Sequence, residues 1–143
     1  MTIPTRLTNG KPYDIHLRLL VFGCDIVFAA QFLHNQGGIA RAISYQLVSS
    51  GMSAGANAAE GDSATSHDDF IAKTRIALRE AKETRFRLRV CRRVGLLDAR
   101  FESLTDECDQ LVRILGKIVH TAIKNREARK RNNRKQTTTR SAN

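Results

Sequence analysis

Polar residues with helical spacing occur in two neighbouring segments, and they include carboxylates that could do chemistry. In the first segment they step by four and three residues through Gln46, Ser50, Ser53, Asn57 and Glu60. In the second, the same steps run through Lys73, Ala77, Glu80 and Thr84. If the segments fold back on each other about residue 65, the pairs that lie level are Asn57 with Lys73, Ser50 with Glu80, and Gln46 with Thr84. The spacing predicts a polar seam between adjacent helices, made of Gln46, Ser50, Ser53, Asn57, Glu60, Lys73, Glu80 and Thr84.

The carboxylates of this polar seam could bind a metal ion or act in catalysis if the other residues that such sites need accompany them. Metal sites in helical bundles use Glu-x-x-His pairs that project inward, and the sequence has none. It also lacks zinc-ligand spacing, a phosphate-binding glycine loop and a Gly-x-Ser-x-Gly nucleophile motif. The favoured interpretation is a structural network that fixes helix register or oligomer state. We therefore predict no enzyme activity, no catalytic residue, no metal and no cofactor.

A second constellation is basic and could bind phosphates. Nine Lys and Arg residues lie between positions 73 and 93, and five of them share one broad helical face: Arg75, Arg79, Lys82, Arg89 and Arg93. The C-terminal segment is also basic, and it has no interleaved aromatic residue for base stacking. The residues predicted to bind nucleic acid are Arg75, Arg79, Lys82, Arg89, Arg92, Arg93, Arg126, Arg129, Lys130 and Arg131.

Composition limits the class of protein that carries these residues. The chain has 143 residues, 41% of them hydrophobic, and a net charge of +10, which suits one domain with a real core. Such a charge favours an anionic partner, although a basic surface can also serve solubility alone.

Cys24, Cys91 and Cys108 are odd in number and widely spaced, which favours small core residues in a reducing cytoplasm. The apolar stretch 17–33 is interrupted by charged residues, so a buried helix is expected there rather than a membrane span.

Apolar residues that step by three and four predict the elements that position these groups. Helices are expected at about 14–34, 39–60, 67–94 and 99–129, with Ser66 and Asp98 as caps and Gly37, Gly38 and Gly95 as stops. Gly51 and Gly55 are four residues apart inside the second helix, which suggests close approach of a neighbouring helix. The prediction is an all-α, antiparallel up-down four-helix bundle over residues 13–124. A flexible leader (1–12) precedes it, and a basic tail (125–143) ends helix four and then becomes disordered.

These segments resemble one bacterial family of four-helix-bundle proteins, which is encoded in intervening sequences of large-subunit (23S) ribosomal RNA genes. The residues that carry the resemblance are Tyr13-Asp14, Gln46-Leu47, Ser50, Ser53, Ala56-Asn57, Ala59-Glu60-Gly61, Phe70, Lys73, Ile76-Ala77, Glu80-Ala81, Glu83-Thr84 and Leu88. The resemblance covers roughly residues 13–123 and implies a ring-like homo-oligomer, a pentamer by analogy. It also implies a relation to the accessory variability protein of diversity-generating retroelements, a basic pentamer that binds reverse transcriptase and nucleic acid.

Two functions from different classes follow. The first is a non-enzymatic, oligomeric accessory protein of the cytoplasm, with no membrane partner, that binds RNA or an RNA/DNA hybrid and has a reverse transcriptase as a candidate partner. The alternative is a structural or interaction protein whose charge serves solubility only. Steeply salt-dependent binding of nucleic acid would separate the two.

Overall fold

The computed structural model describes residues 14–142, which form four long helices. They are α1 (Ile15–Gln36), α2 (Gly38–Asp62), α3 (His67–Arg93) and α4 (Glu102–Ser141), with a short 3-10 turn (Ala99–Phe101) before α4. Consecutive helices pack against each other and α1 also contacts α4. The predicted all-α, up-down four-helix bundle is confirmed, while the leader predicted for residues 1–12 lies outside the described residues.

The helix ends are set by capping side chains and glycines, as the sequence predicts. The Asp14 carboxylate accepts hydrogen bonds from the backbone N–H groups of His16 and Leu17, at 2.7 and 3.1 Å. The Ser66 hydroxyl accepts one from the Asp69 N–H at 3.1 Å. Gly37 and Gly95 have φ values of 75° and 80°, a left-handed conformation that glycine adopts without steric cost. The chain can therefore reverse direction sharply after α1 and after α3.

The core consists of the apolar stripes read from the sequence. Most of the predicted inner residues of α1 and α4 are buried, namely Leu19, Phe22, Ile26, Ala29, Leu33, Leu104, Cys108, Leu111 and Leu115. At the ends of those stripes, Ile15, Ile118 and Ala122 are half-buried. Burying side chains of this size removes most of their apolar surface from water, at about 25 cal/mol per Å². Helical periodicity alone therefore located the interior.

Two glycines of α2 lie against α1, and close packing of the two helices depends on Gly51. A Cβ atom at Gly51 would lie 2.6 Å from Cγ2 of Ile26, and one at Gly55 would lie 3.4 Å from Cβ of Leu19. The first distance is well inside van der Waals contact, so no larger residue fits at Gly51 without displacing α1. The close approach predicted from these two glycines is confirmed.

The C-terminal tail differs from its prediction. Instead of ending near residue 129 and becoming disordered, α4 continues to Ser141. No glycine or proline follows Gly116, and extending an existing helix costs far less than nucleating one. The hydroxyls of Thr137, Thr138 and Thr139 donate to the carbonyls four residues earlier, at 2.9, 3.0 and 2.9 Å. Every residue from 130 to 142 is exposed, and this segment is called the basic arm below.

Helix α1 carries more apolar surface than the bundle covers. Its length and apolar composition would suffice to cross a membrane, but core helices of soluble proteins can have the same length and composition. One side of α1 lies in the core, as predicted for this stretch. On the other side, however, Leu20 and Phe28 are 65% and 64% exposed. Cys24 is exposed as well, which corrects its prediction as a core residue, while Cys91 and Cys108 are buried as predicted.

Candidate functional site

The polar seam forms between α2 and α3, but its register is shifted by about one helical turn. Ser50 contacts Thr84 rather than Glu80, with the hydroxyl oxygens 2.9 Å apart. Likewise, Lys73 pairs with Glu60 rather than Asn57. Side chains of a helix lean toward its N-terminus, and in antiparallel neighbours this lean displaces contacting residues in opposite directions. The predicted pairs Asn57–Lys73, Ser50–Glu80 and Gln46–Thr84 were wrong, and this lean accounts for about half of the shift; the two segments do face each other.

Only part of the polar seam is buried. Ser50 and Thr84 are 2% and 0% exposed. Thr84 Oγ1 lies 2.8 Å from the Glu80 carbonyl oxygen and Ser50 Oγ lies 3.3 Å from that of Leu47. Each hydroxyl thus has an acceptor and one of them accepts from the other, so both are satisfied inside the core. A satisfied buried pair of this kind supplies helix register rather than reactivity.

The other members of the polar seam lie nearer the surface. The Asn57 amide donates to the Ser53 hydroxyl and carbonyl, at 3.0 and 2.9 Å. Gln46 is exposed. The Lys73 ammonium lies 2.8 Å from the Glu60 carboxylate, whose hydrogen bond and charge raise the pKa of Lys73 above its usual value. Within residues 14–142, no three His, Cys, Asp or Glu side chains gather in a way that could hold a metal ion.

The predicted basic face of α3 is exposed to solvent. Its members Arg75, Arg79, Lys82, Arg89 and Arg93 are all exposed. Arg92, the sixth α3 residue predicted to bind nucleic acid, is half-buried and donates to the Leu97 carbonyl at 3.2 Å. Arg92 therefore helps to hold the turn after α3 and is the weakest candidate of the six.

Several basic residues of α3 have acidic neighbours that sequence reasoning missed. Arg89 and Arg85 reach Asp109 of α4, at 2.9 and 3.9 Å, and Arg87 reaches Glu83 at 3.4 Å. The signal for Asp109 was present in the sequence as an acidic cluster at 106–109, but only the register of α3 on α4 shows which arginines it meets. Because Arg89 is 57% exposed in this pair, its guanidinium stays open to solvent.

An exposed phenylalanine lies in the middle of the same basic face. The Phe86 side chain is 69% exposed, and helical spacing places Lys82 and Arg89 one turn away on either side. Together with Ile43, Val90 and the residues around them, Phe86 lines a groove of about 510 Å³ between α2 and α3. We call this the α2–α3 face; its lining residues are Ile43, Gln46, Arg79, Lys82, Glu83, Phe86, Arg87, Val90 and Cys91.

A second exposed apolar groove lies between α1 and α2. It has a volume of about 360 Å³ and is lined by His16, Leu19, Leu20, Gly23, Cys24, Val27, Met52, Gly55, Ala56 and Ala59. We call it the α1–α2 face. None of these lining residues is Lys or Arg, which separates it chemically from the α2–α3 face.

A third cleft, of about 740 Å³, lies where α4 leaves the bundle. Phe70, Ile114 and Ile118 are among its apolar lining residues. Beside it, Arg126 pairs with Asp68 at 3.1 Å and Arg129 contacts His67. Both arginines were predicted to bind nucleic acid; in the structure they join the root of the basic arm to the start of α3. Lys130 and Arg131 lie beyond this point and are exposed.

Comparisons with known proteins agree with this architecture. The model of the 23S rRNA-intervening sequence protein family matches residues 24–117. A crystal structure at 1.70 Å resolution is also similar, that of a protein with unknown function from the S23 ribosomal protein family of Bacteroides thetaiotaomicron. The two chains are 32% identical with a TM-score of 0.68, and the match covers 74% of this chain and 98% of the other. A search of curated proteins gave no match. The chain therefore belongs to the 23S rRNA-intervening sequence protein family.

Proposed function

We propose that this protein is a non-enzymatic, oligomeric accessory protein that binds nucleic acid, RNA or an RNA/DNA hybrid, through the basic face of α3 and the basic arm. The observation that carries the proposal is the arm. Residues 130–142 are all exposed and contain five basic residues, Lys130, Arg131, Arg134, Lys135 and Arg140, without one acidic residue. No neighbouring carboxylate within the arm competes for these cations, so a polyanion is the partner that their charge fits.

The physical basis of such binding is the release of counterions. Each phosphate neutralised by Lys or Arg frees condensed cations, so affinity falls steeply as salt rises. A helical arm fixes the spacing of its charges and loses less conformational entropy on binding than a disordered tail. The contacts of Arg126 and Arg129 hold the end of α4 that precedes the arm against the start of α3. The arm and the five-residue basic face of α3 are both exposed, so each is open to a polyanion.

Binding of labelled oligonucleotides, measured by fluorescence anisotropy at several salt concentrations, tests this proposal. The variant Arg131→Gln/Arg134→Gln removes two charges from the basic arm. The matched control, Arg41→Gln/Arg113→Gln, removes two exposed charges elsewhere. We expect the arm variant to lose affinity and to lower the slope of log affinity against log salt by about 1.5 to 2, with the control unchanged. No binding to RNA or DNA at low salt would refute the proposal.

We infer that the oligomer forms through the α1–α2 face. Leu20 and Met52 are 65% and 53% exposed there, and Val27 is 41% exposed. Contiguous exposed apolar surface of this kind marks interaction sites in folded proteins. Since copies of a chain with net charge +10 repel each other, a patch free of Lys and Arg is the surface on which they can meet at least cost. A ring, and a pentamer in particular, is what the resemblance to the accessory variability protein suggests.

Sedimentation velocity of the full chain tests the assembly. Leu20→Asp places a charge in the α1–α2 face and is expected to weaken association at least tenfold, because a buried unpaired carboxylate is costly. The control Ile39→Asp, at a residue 78% exposed outside that groove, should leave the sedimentation coefficient unchanged. A wild-type protein that stays monomeric at high micromolar concentration would contradict the inference. A reverse transcriptase as protein partner is a separate proposal, testable by co-purification with this chain.

A second candidate function is a structural protein whose charge serves solubility alone. The intrachain ion pairs of α3 favour it, because Arg85, Arg87 and Arg89 already have carboxylate neighbours. Exposed ion pairs of this type contribute at most about 1 kcal/mol, and they leave the basic arm unexplained. The salt titration separates the two candidates, since this second function predicts assembly without any affinity for nucleic acid.

A further inference from the structure

Phe86 stands out among the exposed apolar residues because cations surround it. Helical spacing places Lys82 and Arg89 four and three residues away, and Arg79 and Arg93 seven residues away, all on the same side of α3. Arg79 and Arg89 have side chains that are 65% and 57% exposed, with a carboxylate of Glu80 and of Asp109 at 3.8 and 2.9 Å. Lys82 and Arg93 are exposed too. The ring is thus the centre of a positively charged strip roughly 20 Å long.

The flat face of this ring is open. Phe32 and Phe101 lie 5.1 Å apart and the Arg100 guanidinium lies 4.8 Å from the centre of the Phe32 ring, whereas Phe28 and Tyr45 are exposed to about the same extent as Phe86. Among residues 14–142 no aromatic ring or guanidinium stacks on Phe86 in this way. With 69% of the residue exposed and no such neighbour, the Phe86 ring is accessible to a ligand.

The charges around the ring indicate what that ligand is. A second copy of this chain carries net charge +10, so its approach to the four cations around Phe86 is electrostatically unfavourable. The α1–α2 face, which has no Lys or Arg among its lining residues, suits a second copy far better. At the α2–α3 face, the complementary partner combines negative charge with a flat apolar surface. A nucleotide strand has both, as phosphates and as bases.

We propose that Phe86 is a stacking platform for one base of a single-stranded nucleic acid, with Lys82 and Arg89 holding the phosphates on either side of it. This proposal rests on the proposed nucleic-acid binding and specifies which form of nucleic acid the basic face of α3 binds. Stacking is tolerant of sequence, since every base has a π-face. A duplex keeps its base faces inside the stack, so it can meet the cations but not the ring. The basic face of α3 should therefore bind a single strand more tightly than a duplex of the same sequence.

Tryptophan fluorescence gives a direct test, because the natural chain contains no tryptophan. The full-length Phe86→Trp variant is titrated with a single-stranded 12-mer of uridine or thymidine and with a duplex of matched length. We expect the single strand to quench the Trp emission by at least a third, while the duplex changes it little. The matched control is Tyr45→Trp, a ring on α2 that is 61% exposed and not among the groove's lining residues. It should not respond to either ligand.

Affinity measurements separate stacking from simple apolar contact. Phe86→Tyr keeps an aromatic face and should bind the single strand within twofold of the natural chain. Phe86→Leu keeps an apolar side chain without a π-face, and it should bind about fivefold or more weakly. Circular dichroism and sedimentation velocity on each variant check that the fold and the oligomer size are unchanged.

The possible outcomes distinguish this proposal from the function on which it rests. Binding of single strands that Phe86→Leu does not weaken, with no quenching in Phe86→Trp, overturns the stacking platform and leaves nucleic-acid binding standing. Equal or stronger binding of the duplex overturns the preference for single strands. A change of oligomer size in Phe86→Leu assigns the ring to a contact between copies and overturns the platform. Absence of any nucleic-acid binding at low salt overturns both proposals together.

Discussion

The α1–α2 face and the α2–α3 face are both exposed grooves that share helix α2, yet they differ in charge and in their cysteines. The α1–α2 face is built from small and aliphatic residues and has the exposed Cys24 in its lining. The α2–α3 face has Phe86 in its middle, basic residues around it, and the buried Cys91 in its lining. Exposed apolar surface therefore occurs in two chemically different settings in one small bundle.

The difference teaches that apolar exposure alone does not name a partner. Without cations nearby, an apolar groove is matched best by another apolar surface. With cations at one-turn spacing, the same groove attracts a ligand that is both flat and negatively charged. The surroundings of Leu20 and Phe86, rather than their own hydrophobicity, thus distinguish the proposed assembly surface from the proposed nucleic-acid surface.

The largest expected effect is on stability, and it compares substitutions in each face with substitutions in the core beneath it. Leu88 is fully buried, two residues from Phe86, and Leu88→Ala should lower the free energy of unfolding by about 2–5 kcal/mol. Leu19→Ala, next to Leu20, should do the same. In contrast, Phe86→Ala and Leu20→Ala should stay within about 0.5 kcal/mol in a dilute monomer, because little surface is buried at either site. Urea unfolding followed by circular dichroism measures all four.

A large loss of stability in Phe86→Ala would show that the ring serves the fold. The ring would then be unavailable to a ligand, and the α2–α3 face could no longer be compared with the α1–α2 face as an exposed interaction surface.

Salt should have opposite effects on binding at the two faces. Four phosphate contacts around Phe86, one each by Arg79, Lys82, Arg89 and Arg93, predict a loss of about 50-fold in affinity for a single strand between 50 and 200 mM salt. Association through the α1–α2 face should hold or strengthen over the same range, because salt screens the repulsion between positively charged copies. Anisotropy and sedimentation velocity in the same buffers measure the two responses. Parallel weakening of both would mean that one electrostatic surface serves both processes.

The two cysteines report on the faces without any substitution. Cys24 is exposed in the α1–α2 face, so assembly should slow its alkylation about tenfold or more. Cys91 should stay unreactive at pH 8 in monomer and oligomer alike, because burial raises the pKa of its thiol and the thiolate is the nucleophile. Because that pKa is raised in the folded state, the corresponding stability is present below the unfolded value near 9 and is lost as pH rises above it. Mass spectrometry of alkylated peptides reads each site, and rapid labelling of Cys24 in the oligomer would exclude the α1–α2 face as the contact.

Much of the fold was predictable from the sequence, since local rules decide it. The caps at Ser66 and Asp98, the stop at Gly95 and the buried stripe of α1 follow from residue type and spacing. Close approach at Gly51 followed from glycine inside a helix. These features depend on neighbours within one or two turns, and the sequence shows such neighbours directly.

The candidate sites were less predictable because they depend on how helices sit beside each other. The contact of Ser50 with Thr84 needed the register of α2 on α3, and the pairing of Arg89 with Asp109 needed that of α3 on α4. Helix α3 alone does not show which of its apolar residues α2 and α4 cover, so Phe86 was not recognised as a surface residue. The helical arm was missed for another reason: its stability comes from continuing α4, and an apolar stripe gives no sign of that.

The smallest effect concerns single charges at the α2–α3 face. Lys82→Gln removes one phosphate contact and should weaken single-strand binding about fourfold at 150 mM salt, lowering the salt slope by about 0.7. The control Lys117→Gln removes an exposed Lys of α4 that does not line this face, and it should leave both quantities unchanged. Because the effect scales with the logarithm of salt, it should shrink toward nothing near 1 M, whereas the loss in Phe86→Leu should persist there. Two variants on one turn of α3 would then separate the ionic part of recognition from the stacking part, and equal salt dependence for both would show that they act through charge alone.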